Sequence, residues 1–373
     1  MPLGVYVHVP FCVTRCGYCD FNTYVSSDAA ARSAYAEAAV AEVRLARRTL
    51  GTDAPPVDTV FFGGGTPTLL EAGDLATILR AVEAEFGLAP GAEVTTEANP
   101  EDVSAETLAA LREAGFTRVS LGMQSAVGHV LAVLDRRHTP ERPAAAVAEA
   151  RAAGFEHVSL DLIYGAPSET EADWSASLAA ALAADPDHIS AYALSVEPGT
   201  ALHARVRRGE VAAPDPDEAA DRYLAAEEVL AAAGLRWYEI SNWAASDEAR
   251  CRHNLGYWRG ADWWGVGPGA HSQVDGVRWW NVRHPATYAR RMGAGESPED
   301  GREMLAAATR LFERVMLGVR LAEGLDGALL SDAGLAAAAR LARDGLVSVE
   351  RGRVTLTLEG RLKADAVVRA LTD

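Results

Sequence analysis

Basic side chains are in short supply in this chain. Lys plus Arg number 35 against 52 Asp plus Glu, a formal net charge of −17 over 373 residues. So acidic a surface repels phosphate backbones, and nucleic acid is excluded as the expected partner. Long apolar runs are missing as well. No stretch of about 18 uncharged apolar residues occurs, so no membrane span is expected and any membrane association would be peripheral. The opening MPLGVYVHVPF has neither a basic leader region nor a cleavage site, which predicts a cytoplasmic chain without a secretory signal. Cysteine is rare: there are four, three of them between positions 12 and 19. Thiols so close together make a poor disulfide framework, and in a reducing compartment clustered thiols bind metal. Internal repeats and low-complexity linkers are also absent.

What is present is a globular composition. Apolar residues make up 49% and charged residues 23%, enough for a packed core, and the length suits one large α/β domain with a smaller appendage. Short β-branched or aromatic runs fall at 5–9, 57–62, 92–97, 118–121, 157–163 and 189–194. Helix-like stretches alternate with them at 28–50, 71–86, 104–114, 141–153 and 171–184. Ser104 opens one helix, and Gly115, Gly154 and Gly234 follow the ends of others. Six βα units in a row predict a parallel sheet covered by helices. Counting leaves two forms open, a partial barrel and a doubly wound sheet. Past Gly234 the rhythm stops. Residues 237–300 are rich in Trp, Gly and His, and a helix is predicted near 302–317. The end reads as two helices, a hairpin around Arg351-Gly352 and a last helix, a small winged-helix-like module. The expected organisation is therefore 1–236, 237–300 and 301–373.

The clustered thiols lie in HVPFCVTRCGYCDF. Three residues separate Cys12 from Cys16, and two separate Cys16 from Cys19. Their loop follows the first predicted strand, at the end where α/β barrels place their sites. Three thiolates can hold three irons of a cubane and leave the fourth iron open to chelate a small molecule. Zinc is the alternative, but a structural zinc site needs four ligands, and His8 or Cys251 would have to complete it. After the second strand comes Gly63-Gly64-Gly65-Thr66-Pro67, where glycines let backbone N–H groups approach a ligand. A tight βα turn explains those glycines equally well.

The combination of CxxxCxxC after strand one and GGGTP after strand two resembles the radical S-adenosylmethionine superfamily, over nearly the whole chain. Within that superfamily the chain is similar to the oxygen-independent coproporphyrinogen III oxidase group, and there to its heme-chaperone branch. The resemblance implies an α/β fold, a partial (β/α)6 TIM-like barrel with a small C-terminal winged-helix-like α+β domain. It implies a [4Fe–4S] cluster on Cys12, Cys16 and Cys19. It also implies S-adenosylmethionine against Gly64, Gly65, Thr66, Glu97, Gln124, Arg136 and Asp161, with packing contacts from Tyr6, Tyr18 and Ala193. The side-chain chemistry is compatible: an Arg fork suits a carboxylate, and Asp161 is otherwise an expensive charge in an apolar strand. Tyr6 reads equally well as core. The implied reaction is one-electron cleavage of the sulfonium to methionine and a 5′-deoxyadenosyl radical, chemistry that the protein orients and shields.

Two departures bear on the branch. The oxidases carry a further cysteine two residues after the third, where this chain has Phe21. They also carry an arm ahead of the first strand, which here begins near residue 3. Both turn the expectation away from porphyrinogen decarboxylation. In contrast, CRHNLGYW at 251–258 contains His253-Asn254-x-x-Tyr257-Trp258, matching an HNxxYW motif associated with heme in the chaperone branch. The His253 imidazole suits heme iron, and Tyr257, Trp258, Trp263 and Trp264 offer flat faces to a macrocycle. Cys251 is a rival iron ligand. An aromatic loop packed at the barrel mouth, with His253 simply hydrogen-bonded, is the plain alternative. His271, in GPGAHS, reads as a cap on the nearby glycine-rich loop. The resemblance thus implies a chaperone that binds heme and delivers it to apo-hemoproteins such as respiratory enzymes, with a homodimer as a further expectation. An oxidase, a radical enzyme on another substrate and a zinc adaptor are the competing readings.

Overall fold

The computed structural model describes residues 2–26 and 28–372. Its centre is six parallel strands: β1 (Leu3–Val9), β2 (Val57–Gly64), β3 (Leu88–Ala98), β4 (Arg118–Gln124), β5 (His157–Tyr164) and β6 (His188–Ala193). They lie side by side in chain order, with helices between consecutive strands. A doubly wound sheet reverses its strand order at a switch point, and a barrel wall does not. The observed form is therefore the partial barrel.

The helices begin where the local chemistry allows. Asp28 accepts from the N–H groups of Ala30 and Ala31, Ser104 from Thr107, and Thr170 with Asp173 forms a capping box. Side chains alternate across each strand. One set, including Val5, Val7, Val60, Phe62, Leu121 and Leu160, joins the main apolar core with the helices. The other set faces inward and is largely polar or aromatic: Tyr6, Phe61, Glu97, Ser120, Asp161 and Ser190 line a central cavity. Short strands thus serve two environments at once.

The sheet continues past the sixth strand, to 12 strands in all. On one side Asn242–Ala244 and Arg236–Glu239 extend it antiparallel. On the other, Asp262–Val266 pairs parallel with β1, followed by the meander His271–Val274, Val277–Asn281 and Glu299–Met304. Residues 237–300 lack a βα rhythm because most of their strands return antiparallel, without crossover helices. The last of these strands corrects the helix expected near 302–317. Residues through Met304 pair with the preceding strand, and the helix runs Ala307–Gly318. As an edge strand with most side chains exposed, Glu299–Met304 has no alternating apolar signature to read.

The C-terminal part builds its own small core from Val315, Val319, Val347, Val354 and Val367. Helices surround a three-stranded sheet whose hairpin is Val347–Glu350 with Arg353–Leu356. Arg351 and Gly352 both have positive φ, 49° and 78°, as a two-residue type I′ turn demands. Arg361 ties this unit to the barrel: its Nη1 donates to Glu227 Oε2 at 2.8 Å and its guanidinium stacks 4.3 Å from the Trp237 ring centre. Among the described residues no helix is long and apolar enough to cross a membrane.

Candidate functional site

A cavity of about 690 Å³ runs along the inner face of the strands and under the loops at their C-terminal ends. It gathers the three clustered cysteines, every residue expected against S-adenosylmethionine, and His253 with Tyr257. These groups come from all six parallel strands or their following loops, and from the helix Arg252–Trp258.

The cysteine loop is laced to the glycine loop after β2. Gly65 N–H donates to Val9 O at 2.8 Å and Thr66 N–H to Phe11 O at 2.7 Å. A Cβ on Gly65 would stand 2.5 Å from Phe11 O, so close approach requires glycine there. Gly64 has φ 112°, a conformation that side chains resist. The Thr66 hydroxyl accepts from Asn99 Nδ2 at 2.9 Å and lies 4.0 Å from Cys12 Sγ, toward which it donates. Arg136 donates from Nη1 to Cys16 Sγ at 3.6 Å, and from Nη2 to Asn99 Oδ1 at 2.8 Å and Gly122 O at 2.9 Å. Two of the three sulfurs therefore have donors aimed at them, as suits thiolates holding a metal. Burial pushes the Cys12 thiol up to about 11, and raises Cys19 as well. A bound cation reverses that penalty. Among the described residues, no three His, Cys, Asp or Glu side chains converge as ligands of one ion do. In a cubane each thiolate takes its own iron, so convergence on one point is not required; a zinc site requires it. The donor set fits a cluster.

Deeper in, Glu97 Oε2 accepts from Gly64 N–H at 3.0 Å. Burial, and then the neighbouring Asp161, pushes the Glu97 carboxyl up to about 7. Asp161 accepts from Ser120 Oγ on both oxygens, at 3.0 and 2.9 Å, and burial raises it too. Two desolvated carboxylates in one cavity favour a cationic ligand, such as an ammonium or sulfonium. Arg136 Nε is buried without a hydrogen-bond partner, a donor free for a carboxylate. The pair suits the two ends of an amino acid. Gln124 holds φ 61° at the end of β4, and its amide lies over Gly122, where a Cβ would meet Nε2 at 2.8 Å. His8 Nε2 lies 3.0 Å from the carbonyl of Asn22, which can only accept, so His8 Nδ1 accepts from Tyr6 Oη at 3.0 Å. Tyr18 packs beside the apolar cluster of Val130 and Leu134, and Ala193 ends β6 on the cavity rim.

The helix Arg252–Trp258 forms another wall. Glu93, on β3, accepts from Arg252 N–H and His253 N–H, each at 3.0 Å, and so caps the helix with a negative charge. His253 is 4% exposed. Its Nδ1 is 2.8 Å from Thr59 Oγ1 and its Nε2 is 2.8 Å from Tyr257 Oη. Both ring nitrogens are engaged, and burial lowers its pKa to about 3, so the ring is neutral. An iron at Nε2 would have to displace Tyr257. Cys251 donates to Glu93 Oε1 at 3.7 Å, and burial pushes its thiol up to about 12, which leaves no ready thiolate. The His271 ring is exposed beside Trp280, with no hydrogen bond among the described residues, and does not cap the glycine loop.

Known proteins place this arrangement. The chain is 54% identical over 372 residues to proteins named heme chaperone HemW from two strains of Mycobacterium tuberculosis, covering 99% of this chain and 95% of each relative. This chain belongs to the HemW family. A Bacillus subtilis HemW is 32% identical, covering 98% of both chains. Two family models agree: the radical SAM superfamily matches residues 6–181 and the HemN C-terminal domain matches residues 305–362. The solved structure of coproporphyrinogen III oxidase (HemN) from Escherichia coli superposes with a TM-score of 0.84, at 23% identity, over 100% of this chain and 90% of that one. That likeness shows a shared fold. In this HemW-family chain Phe21, two residues beyond Cys19, is 59% exposed at the cavity mouth.

Four residues of the site are not found by motif reading. Asn99 bridges Thr66 to Arg136, Thr59 holds His253, Glu93 caps the motif helix, and Glu239 accepts from Asn254 Nδ2 at 2.9 Å. A signal for one of them is present: Glu93, Thr95 and Glu97 alternate along β3, so a strand that faces two carboxylates inward is legible from its period of two.

Proposed function

We propose that this HemW-family chain binds a [4Fe–4S] cluster through Cys12, Cys16 and Cys19, holds S-adenosylmethionine in the central cavity, and carries heme to apo-hemoproteins, respiratory enzymes among them. One observation carries this most: the cysteine loop, the glycine loop and the HNxxYW helix share a single cavity, in a chain similar end to end to proteins named heme chaperones. When bound, the cluster and S-adenosylmethionine supply one-electron chemistry. The chain's own residues do the rest. Thr66 and Arg136 donate toward the sulfurs. Glu97 receives the cationic end of the nucleotide's amino acid, and Arg136 its carboxylate. Gly64 and Gly65 let the backbone come close, while Tyr6, Tyr18, Gln124, Asp161 and Ala193 shape the remainder. His253 and Tyr257 serve the heme function, with His253 positioning Tyr257. Residues 1–236 act as the cofactor barrel, 237–300 as the heme-associated stretch and 301–373 as the covering unit. The place of action is the cytoplasm.

The test is transfer. Anaerobically reconstituted protein is loaded with hemin and mixed with an apo-hemoprotein. The Soret band of the donor should give way to that of the acceptor. No spectral change on adding hemin would contradict the proposal, and formation of protoporphyrinogen from coproporphyrinogen III would make the chain an oxidase instead.

A further inference from the structure

We infer that the macrocycle docks outside the cofactor cavity, in a second groove between the motif helix and the helix Ala307–Gly318, with its carboxylates on Arg310 and Arg314. This rests on the heme reading above and adds where the ligand sits and what holds it.

Space is the first reason. Pockets for a single drug-sized ligand measure about 300–1,000 Å³. The central cavity, at about 690 Å³, would be filled by the cluster and nucleotide proposed above. A second hollow of about 770 Å³ lies across the motif helix. Asn254 and Tyr257 line both, so the helix is the partition between them.

The chemistry of the second hollow matches a flat, apolar dicarboxylate. Trp258 and Trp263 give it aromatic surface, with Tyr257 packed edge-on against Trp263 at 4.8 Å. Leu311 and Leu317 supply the facing wall. Leu311, in its lining, is 46% exposed, and its chain neighbour Phe312 is 44% exposed. Its lining carries four arginines against three carboxylates, although the chain as a whole is at −17. Arg259 is paired with Glu323, and Arg278 with Glu303 and Glu313. Asp262 accepts from Asp275 N–H at 3.1 Å, and Asp262 and Asp275 are the two acids of the lining without an ion pair among the described residues. Arg310 and Arg314 are exposed and have no ion pair among the described residues. They stand four residues apart on one helix face, where side chains start about 5–6 Å from each other. That is the scale of two carboxylates on adjacent rings of one macrocycle edge, and Arg forks suit carboxylates.

The lining holds no His, Cys or Met, and the hydroxyl of its one tyrosine, Tyr257, is taken up by His253 Nε2 at 2.8 Å. Retention then comes from the ring face and the carboxylates rather than from a strong axial bond to iron, which suits a carrier that must release its cargo. A metal-free porphyrin should therefore bind about as well as hemin.

The experiment titrates reconstituted wild type, Arg310→Glu/Arg314→Glu and Arg310→Lys/Arg314→Lys with hemin and with protoporphyrin IX, following Trp fluorescence and the Soret band. Circular dichroism and cluster absorbance check the fold. The expected result is similar affinity of wild type for both ligands, at least tenfold weaker binding of both by the double Glu variant, and recovery in the double Lys variant. If the double Glu variant binds hemin like wild type, the macrocycle does not sit on these arginines, and this inference fails while the heme reading stands. If wild type binds neither ligand, the heme reading falls and takes this inference with it. If the Glu variant instead changes the oligomeric state of the ligand-free protein, the groove is a contact between copies.

Discussion

Glu42 shows what a single buried side chain does to this molecule. It is fully enclosed, accepting from Tyr288 Oη at 2.5 Å, Asn281 Nδ2 at 2.7 Å and Gly267 N–H at 2.8 Å, and so pins the loop beyond Asp262–Val266 to the first helix. Burial outweighs these bonds and pushes its carboxyl up to about 7, from an ordinary value of 4.5. Between those values the unfolded chain has lost the proton and the folded chain keeps it. Stability from this group is therefore full below pH 4.5 and falls as pH rises toward 7. Chemical denaturation at pH 5, 6, 7 and 8 should show that decline, and Glu42→Gln should make it shallower. A slope unchanged in the variant would assign the effect to Glu97 and Glu239, which burial also raises to about 7. Thr66 offers a second test at this scale. Its hydroxyl points at Cys12 Sγ, and a donor to sulfur favours the more negative, reduced cluster. Thr66→Val should still assemble the cluster but lower its reduction potential, as read by anaerobic titration.

At the scale of elements, the parallel strands are the legible part. Val5, Val60, Val119, Val158 and Ile189 mark buried strand faces, and Ser104 and Asp28 open helices where expected. The two loops that carry the site are legible because their residue types have few other uses in such spacing. The meander is not, since Glu299–Met304 and Val277–Asn281 are half-exposed strands without clean alternation. His253 carries the same lesson. A histidine four residues before a tyrosine on a helix reads as a free ligand until the fold brings Thr59 from 194 positions away to its other nitrogen. The cap by Glu93 is equally remote in sequence. Glu93→Ala removes the acceptor of two backbone donors and should cost about 1–3 kcal/mol in urea unfolding. Protection of Arg252 and His253 amides against hydrogen exchange should fall with it, and unchanged protection would mean that Glu93 is not the cap.

For the molecule as a whole, one sheet joins the barrel strands to the Trp-rich stretch, while the C-terminal unit has a core of its own. Arg361 is one fastener, nearly buried against Trp237 and paired with a partly buried Glu227; the Arg259–Glu323 pair is another. Arg361→Ala should destabilise the protein by about 1–3 kcal/mol, since it leaves Glu227 with Trp243 Nε1 alone and removes the stacking. Hydrogen exchange in the strands Val347–Glu350 and Arg353–Leu356 should rise first. The joint placement of the three thiols, the glycine loop and the inward carboxylates around one cavity underlies everything else, and the electron paramagnetic resonance spectrum of the reduced, anaerobically reconstituted protein tests it most directly. Wild type should show a [4Fe–4S] signal that S-adenosylmethionine perturbs, because the iron without a cysteine ligand stays open to it, and Cys12→Ala should show none. A signal indifferent to S-adenosylmethionine, or a protein that takes up zinc and no iron, would contradict the account.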